Sequence, residues 1–269
     1  MSERIPTASF STDAYRAAEG PDVLQSNNGA LFETTPNDND VRWGTQMRAF
    51  HLGSILVGAN RITELNGERP AAKARADGID HYIIQLNAGG AHDADIRGHT
   101  FEIGAGDIQV FDLARPVRCR TRFVDNINII IPRHELETRM RLTTGLHGVI
   151  LRGETGVGSL FADYIKSLTR RLPSLAATDA VLVSDASMNT ISACLAPSVE
   201  AVERAQGALR VVLRSRAKQY IGNNLLDPRL SVDRICSSMH ISRARLSSVR
   251  RRGWRHGIHS DATTAIVVP

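Results

Sequence analysis

Hydrophobic periodicity changes near Pro132, and this change constrains the fold of the chain more than any other feature. From Gln46 to about Pro132, short stretches rich in β-branched and apolar residues are separated by Gly, Asn and Asp, which is typical of several short antiparallel strands. After Pro132, apolar residues recur at every third and fourth position, as they do in amphipathic helices. The sequence therefore predicts an α+β fold, in which an antiparallel β-barrel is followed by helices.

Two sequence patterns predict features within the barrel: a short glycine-rich segment and the alternation of apolar residues along the strands. Residues 104–107, Gly-Ala-Gly-Asp, predict a tight turn between two strands, because glycine adopts positive φ without steric cost. The apolar alternates of the strands are expected to fill the interior, with a register that the pattern leaves open by one residue. Examples are Ile83 and Leu86 on one strand, and Ile108 and Val110 on another.

Three amphipathic helices are predicted after the barrel. The first closes before Pro173, the second runs from about residue 178 to 195 and stops at Pro197, and the third covers roughly 200–224. Their predicted apolar faces are, in order, Leu160, Phe161, Tyr164, Ile165 and Leu168; Ala180, Val181, Val183, Met188, Ile191 and Leu195; and Leu209, Val212, Leu213, Ala217, Tyr220 and Ile221. The first two are expected to pack on the barrel or on a second copy of it.

Basic residues are concentrated at the carboxyl end. Residues 201–269 hold 13 Arg or Lys and 4 Asp or Glu, a balance of +9, whereas residues 1–200 carry a balance of −4. Cationic side chains gain free energy by displacing counterions from phosphates, so this segment favours a polyanion as its partner. A solubilising tail is the alternative interpretation.

The stretch LSVDRICSSMHISRARLSSVRRR carries the most specific signal in the chain. Ser231 is a good N-cap for a short helix, and Ser242 can cap a second helix after a turn of three or four residues. A capped second helix with arginines in its first turn is typical of a helix-turn-helix that places this helix in the major groove, although any helical hairpin has a similar pattern. The candidate DNA-contacting residues are Ser242, Arg243, Ala244, Arg245 and Ser248.

Cysteine spacing and hydropathy exclude several other classes. Cys119, Cys194 and Cys236 have no short spacing, so no disulfide framework or zinc ribbon is predicted and the thiols are expected to be buried. No apolar run approaches the roughly 20 residues that span a bilayer, and the amino terminus lacks the apolar stretch of a secretory signal. A cytoplasmic protein without membrane contact is expected.

The run IGNNLLDPRLSVDRICSSMHISRARL resembles the first helix-turn-helix of the AraC/XylS family of bacterial transcriptional regulators, and the upstream part is similar to the cupin-like regulatory domain of one branch of that family. Residues supporting the upstream similarity are Phe10, Ser11, Thr12, Asp13, Asp80, His81, Tyr82, Gly106, Asp107, Phe111, Asp112, Arg115, Pro116, Ile131 and Pro132. The order of these loose motifs is more informative than any one of them.

This resemblance implies both a domain organisation and partners. A cupin-like regulatory domain would span 1–135, a helical linker and dimerisation region 136–200, and the first, incomplete helix-turn-helix 201–252. The implied protein is a homodimer that binds promoter or operator DNA, and a small-molecule effector is a further partner that the family allows. Arg115 and Arg118 could meet an anionic effector, with solvated surface as the plainer interpretation.

The resemblance ends at Leu246. Family members continue with a second helix-turn-helix, whereas this chain continues SSVRRRGWRHGIHSDATTAIVVP, which has little helical periodicity. Trp254 has a single codon, so with the Arg codon after it the frame one nucleotide later must encode a glycine. A permissible choice of codons for residues 253–264 reads GGDTAYIRTRRL in that frame, which contains the Gly turn and the AYIRxxRL helix start of the family. A frame shift is therefore predicted to truncate the DNA-binding domain and to leave residues 253–269 as an aberrant, disordered tail.

Two other functions stay open. The truncated chain could be a dimerisation and effector-sensing module that binds no DNA, or the barrel could be a cupin-type enzyme, since fold alone does not decide function. A cupin enzyme would need metal ligands at a characteristic spacing. The available residues, His92, Asp93, Asp95 and His99, lack that spacing and are interpreted as polar residues of a surface loop. No catalytic residue, metal or cofactor is predicted.

Overall fold

The chain divides into two compact units, Met1–Val199 and Glu200–Pro269. The computed structural model describes residues 3–16, 19–36, 44–96, 98–140, 145–243 and 246. The first unit is built on a β-sheet, and the described part of the second unit is helical. The tail at 253–269, predicted to be disordered, lies outside the described residues.

The sheet of the first unit is antiparallel, with nine strands among the described residues. The strands are β1 (Thr7–Ser11), β2 (Glu33–Pro36), β3 (Thr45–Leu52), β4 (Ile55–Arg69), β5 (His81–Ile96), β6 (His99–Ile103), β7 (Ile108–Asp112), β8 (Val117–Pro132) and β9 (Ile150–Leu151). Their order is β1-β3-β4-β8-β5-β7-β9, with β2 paired to β4 and β6 paired to β5. The predicted turn at 104–107 joins β6 to β7, and Gly106 has the positive φ of 92° that such a turn requires.

Helices follow the strands. They are α1 (Gly20–Asn28), α2 (Ala71–Ala76), α3 (Arg133–Met140), α4 (Gly156–Arg171), α5 (Ala180–Asn223) and α6 (Val232–Met239), with 3₁₀ turns at Thr12–Ala14, Leu172–Ser174 and Ala177–Asp179. Within the described residues, no helix combines the length and apolarity needed to cross a membrane. The predicted α+β class, with an antiparallel sheet followed by helices, is confirmed.

The two faces of the sheet have different environments. One face packs against α4 and α5 in a large apolar cluster that includes Leu86, Ile108 and Val110. The opposite face contributes Ile83 and Phe111 to a second cluster in the barrel interior. Of the four residues expected to point inward, only Ile83 does so. The other three lie on the helix-covered face, because side chains three residues apart on a strand, such as Ile83 and Leu86, take opposite faces.

Helix α4 packs largely as predicted. The Thr155 hydroxyl caps it by accepting a hydrogen bond of 3.0 Å from the backbone N–H of Gly158. Phe161 and Ile165 are fully buried against the sheet. Leu160, and Val181 on α5, were expected on the buried face but are 67% and 68% exposed. Each lies one position from the buried stripe, and one residue rotates the side chain by about 100° around a helix.

Pro197 does not end a helix, which corrects the predicted stop. Helix α5 runs continuously through it. A proline inside a helix removes one backbone hydrogen bond, and the helix persists when packing on both sides of the proline holds its two halves. Ile191 and Leu195 are buried in the core of the first unit, and Leu213 is buried in a separate apolar cluster of the second.

Candidate functional site

A cavity of about 120 Å³ lies inside the barrel of the first unit. Strands β4, β5 and β8 supply most of its wall, and α1 with the segment after it closes one side. The lining residues are Asn28, Leu31, Phe32, Thr34, Met47, Asn60, Ile62, Leu65, Gly67, Ile83, Gln85, His92, Phe111, Cys119, Thr121, Asn126 and Asn128. Concave, mostly apolar cavities with a few polar groups are the usual form of small-molecule sites.

The polar part of this wall belongs to a continuous patch of amide side chains, which extends behind the lining residues to Gln109. Asn60 on β4 is paired in register with Asn126 on β8 and donates to its Oδ1 at 2.9 Å. Asn128, two residues further along the same face of β8, is paired in register with Gln85 on β5. Gln109 on β7 in turn donates to Oε1 of Gln85 at 2.9 Å. Four neighbouring strands therefore direct amides to one region of the interior.

His92 completes the patch as a neutral imidazole. Its Nε2 lies 2.6 Å from Nε2 of Gln109. In this arrangement the amide nitrogen donates, so Nε2 of the ring accepts and the ring proton sits on Nδ1. His92 is 5% exposed, and burial lowers the pKa of its imidazole to about 4. The ring is uncharged at neutral pH.

The position of His92 depends on a bend in β5. Register shifts fall between Asn87 and Gly89 and between Ala91 and His92. Between them Gly90 has φ of 73°, and a Cβ there would lie 2.0 Å from the carbonyl oxygen of Phe123. Only glycine fits such a close approach. The bend keeps the strand paired beyond it and turns the His92 side chain inward.

The expectation that His92, Asp93, Asp95 and His99 form a polar surface loop is wrong: the two aspartates lie on β5, His99 begins β6, and the largest departure is at His92. This residue lies within β5, buried in the barrel, while Asp93 on the opposite face is exposed. Alternation along the strand separates the two side chains. Among the described residues, no group of three or more His, Cys, Asp or Glu is placed to hold a metal ion.

The two arginines considered for an anionic effector lie away from the cavity wall. Arg115 is ion-paired with Asp112 at 3.1 Å, and Arg118 is ion-paired with Glu68 at 2.8 Å. Both guanidinium groups are substantially exposed. Their surface interpretation agrees with the structure.

The cysteines are free thiols, as expected, but they differ in burial. Cys194 and Cys236 are buried, whereas Cys119 is partly buried and lines the barrel cavity. Desolvation raises the pKa of the Cys119 thiol to about 12, so this wall of the cavity is also uncharged.

The second unit contains the predicted short helix and the turn after it. Ser231 caps α6 by accepting from the backbone N–H of Arg234 at 3.3 Å. The helix ends at His240, which has a left-handed φ of 52°. A new helical turn then begins, in which the N–H of Leu246 donates to the carbonyl of Ser242 at 3.0 Å.

An apolar cluster joins α6, the following turn and the last part of α5. The buried residues of the cluster are Leu213, Ala217, Ile235 and Met239, and the half-buried side chains of Tyr220, Ile221, Leu230, Ile241 and Leu246 pack against them. Leu246 thus anchors the new helical turn on the cluster. Ile235, Cys236 and Met239 are the buried residues of α6 itself.

Two of the five candidate DNA-contacting residues fall within the described residues. Ser242 begins the new helical turn and is exposed, and Arg243 follows it with its guanidinium ion-paired to Asp233 of α6. The guanidinium of Arg243 is 69% exposed despite this pair. Ala244, Arg245 and Ser248 lie outside the described residues.

Comparisons with known proteins identify the family. The model of the AraC-binding-like domain matches residues 32–196, which is more than half of the chain. The chain therefore belongs to the AraC-binding-like domain family, which confirms the resemblance to AraC/XylS regulators. The match contains most of the cavity wall and the helices α3 and α4.

Similarity to solved structures differs in extent, and one of them shares the fold over most of this chain. The AraC-like transcriptional activator CuxR is 20% identical, with a TM-score of 0.61 over 91% of this chain and 93% of the other. An ethanolamine utilization protein Q from Salmonella typhimurium matches 33% of this chain and 70% of its own at 13% identity and a TM-score of 0.28. An ectoine synthase from P. lautus matches 36% and 70% at 15% identity and the same TM-score. The comparison with curated protein sequences gave no match.

Proposed function

We propose that the protein is a cytoplasmic, sequence-specific DNA-binding transcriptional regulator of the AraC/XylS type. One observation carries this proposal: a capped helix, a left-handed turn at His240 and a new helical turn from Ser242 occur within a segment of net charge +9. This geometry suits a helix-turn-helix whose second helix enters the major groove. Membership of the AraC-binding-like domain family and the fold shared with an AraC-like activator support a regulatory role over an enzymatic one.

In this proposal the arginines of the second helix read or hold the DNA. An arginine in the first turn can reach guanine edges or phosphates, and each good bidentate base contact is worth about 1 to 3 kcal/mol. Arg243 is already positioned at the start of this turn. Ser242, Ala244, Arg245 and Ser248 would share the same surface. The regions 1–135, 136–200 and 201–252 would then serve regulation, dimerisation and DNA binding.

We further propose that the protein acts as a homodimer. Helix α4 exposes Val157 and Leu160, and α5 exposes Val181 and Leu182, the last two by 68% and 74%. Large apolar side chains on a helix surface lose unfavourable contact with water when a partner covers them. Sedimentation equilibrium of the full chain and of a Leu160→Glu, Leu182→Glu variant tests this: dimers are expected for the first and monomers for the second. A monomeric parent chain would contradict it.

We propose that the sequence after Leu246 sets how strongly the present chain binds DNA. A second helix-turn-helix would occupy an adjacent groove and add phosphate contacts, and each lost contact lowers affinity and its salt dependence. We therefore expect the present chain to bind DNA weakly, with little sequence preference, and a chain restored to the neighbouring reading frame to bind tightly and selectively. A dimerisation and sensing module that binds no DNA is the second candidate, favoured by the family match, which covers residues 32–196 and stops before the candidate helix-turn-helix.

Binding of both chains to DNA from the regions flanking the gene tests the proposal. Fluorescence anisotropy with this DNA and with a scrambled duplex of equal length, at two salt concentrations, separates specific from electrostatic binding. We expect the restored chain to prefer the flanking DNA strongly. Failure of both chains to bind either duplex would support the sensing module instead.

A further inference from the structure

The size of the barrel cavity limits the ligand that it can hold. Its volume is about 120 Å³. Each water-sized group needs roughly 10 to 15 Å³ of such space, so the cavity has room for about eight to twelve non-hydrogen atoms. A compact molecule of this size would fit between the lining strands.

The cavity wall carries no charge. Its described lining residues include no Asp, Glu, Lys or Arg. The two ionisable groups among them, His92 and Cys119, are both held in their neutral forms by burial. An ionised ligand would leave its charge unpaired in a desolvated space, which costs several kcal/mol. The wall therefore selects against anions and cations.

Three atoms of the polar patch have unused hydrogen-bonding capacity, and those of Asn128 and His92 belong to cavity-lining residues. Oδ1 of Asn128, Oε1 of Gln109 and Nδ1 of His92 are buried without a hydrogen-bond partner among the described residues. The two amide oxygens need donors, and the protonated Nδ1 of His92 needs an acceptor. Buried polar groups in native proteins are normally satisfied, so these atoms point to a molecule that both donates and accepts.

The rest of the wall is apolar. Leu31, Phe32, Ile83 and Phe111 belong to one packed cluster of the barrel interior and also line the cavity. Such a wall gains free energy by covering hydrocarbon or an aromatic ring. The cavity thus combines an apolar wall with a neutral polar patch.

We propose that the barrel binds a small uncharged molecule that has an apolar body and one end that both donates and accepts hydrogen bonds, such as a primary amide or an alcohol. Asn128 accepts from this end, and His92 donates to it. The role of this ligand as an effector rests on the proposed function. Its binding in the barrel does not require that the chain binds DNA.

Four probes of nearly equal size test the ligand class on the full chain. Benzamide and benzyl alcohol have the proposed chemistry, benzoate adds a charge, and ethylbenzene lacks the polar end. Isothermal titration calorimetry at neutral pH, without DNA, should give saturable binding of benzamide or benzyl alcohol that is at least about tenfold tighter than that of benzoate and of ethylbenzene. Equal or tighter binding of benzoate or ethylbenzene, or no saturable binding of either uncharged polar probe at millimolar concentrations, would overturn the proposal.

An isosteric substitution assigns the binding to the patch. Asn128→Leu removes an amide whose oxygen has no hydrogen-bond partner among the described residues. Asn66→Leu is the matched control, because Asn66 lies on β4 between the cavity-lining Leu65 and Gly67 and therefore faces away. We expect Asn128→Leu to weaken binding of the preferred probe about fivefold to tenfold and Asn66→Leu to leave it unchanged. Equal effects of the two changes would contradict the assignment.

The outcome is separable from that of the DNA experiments. If the chain binds the uncharged probes but no DNA, the proposed ligand class stands and the proposed regulatory function is contradicted. If the chain binds DNA but none of the probes, the proposed regulatory function stands and the proposed ligand class is contradicted. The probe comparison uses the parent chain, so it stands even if a variant fails to fold.

Discussion

The buried guanidinium of Arg69 donates a hydrogen bond of 2.8 Å to the carbonyl oxygen of Leu31. Arg69 is fully buried at the end of β4, and Leu31 belongs to the segment that closes the barrel cavity. The same guanidinium donates to the carbonyl of Leu113 and to Asp77. One side chain therefore fixes the wall of the cavity to the sheet.

Arg69→Met should destabilise the protein by about 1 to 3 kcal/mol, because it leaves the carbonyl groups of Leu31 and Leu113 without the donor that satisfies them. Arg61→Met is the control, since Arg61 makes an ion pair of similar length with Asp125 at the exposed surface. Exposed pairs contribute little. Urea unfolding of both variants checks the contrast, and equal losses of stability would show that burial of Arg69 is unimportant.

The buried imidazole of His92 should make stability depend on pH. Its pKa is about 4 in the folded chain and 6.5 in an ordinary environment, so between these values the unfolded chain holds more protons. The neutral imidazole makes its full contribution to the free energy of unfolding above pH 6.5. This contribution falls as the pH drops, and about 3 kcal/mol of it is lost at pH 4. Comparison of unfolding free energies at pH 7 and pH 4 for the parent and His92→Gln should show a weaker pH dependence in the variant. His99→Gln, an exposed histidine, should behave like the parent.

Gly90→Ala should destabilise the barrel more than Gly98→Ala. Both glycines have positive φ, which costs an alanine about 1 to 2 kcal/mol. At Gly98 the added Cβ meets no atom within 4 Å, whereas at Gly90 it would lie 2.0 Å from the carbonyl oxygen of Phe123. Thermal unfolding measures the difference. Equal shifts of the melting temperature would mean that the bend at Gly90 relaxes easily, and His92 would not depend on it.

The ion pair between Asp233 and Arg243 should restrain DNA binding. Asp233 holds the guanidinium of Arg243 and places a carboxylate close to the proposed phosphate path. Asp233→Asn should therefore raise DNA affinity at low salt. Asp185→Asn on the first part of α5 removes an equal charge, paired there with Arg139, and should have a smaller effect. Anisotropy titrations compare the DNA affinities of the two variants. Equal gains in affinity would mean that only the change in net charge matters and not the position of Asp233.

The general fold could be predicted from the sequence because hydrophobic periodicity reports the type of element directly. The sequence predicted less well which face of each strand points into the barrel. The pattern Asn126-Ile127-Asn128-Ile129 alternates amide and apolar residues, and sequence reasoning assigned the interior to the apolar set. In the structure the isoleucines face the helices and the asparagines face the cavity, since the helices cover the larger apolar face of the sheet.

Residues that act through long-range contacts were also missed. Nothing near Arg69 in the sequence distinguishes it from a surface arginine, because its partners Leu31 and Leu113 are 38 and 44 residues away. His92 lay next to two aspartates and was assigned to the surface with them. The alternating pattern His92-Asp93-Ala94-Asp95-Ile96 was the available signal for a buried face.

The salt dependence of DNA binding tests most directly whether the second unit contacts DNA through the turn at Ser242. Each phosphate contact contributes about −0.9 to the slope of log affinity against log salt concentration. Anisotropy titrations of the full chain should give a slope that becomes less steep by about 2 in an Arg243→Ala, Arg245→Ala variant. Arg170→Ala, Arg171→Ala removes the same charge at the end of α4 and should leave the slope unchanged. Equal changes in both variants, or no change in either, would contradict a DNA-binding surface at Ser242.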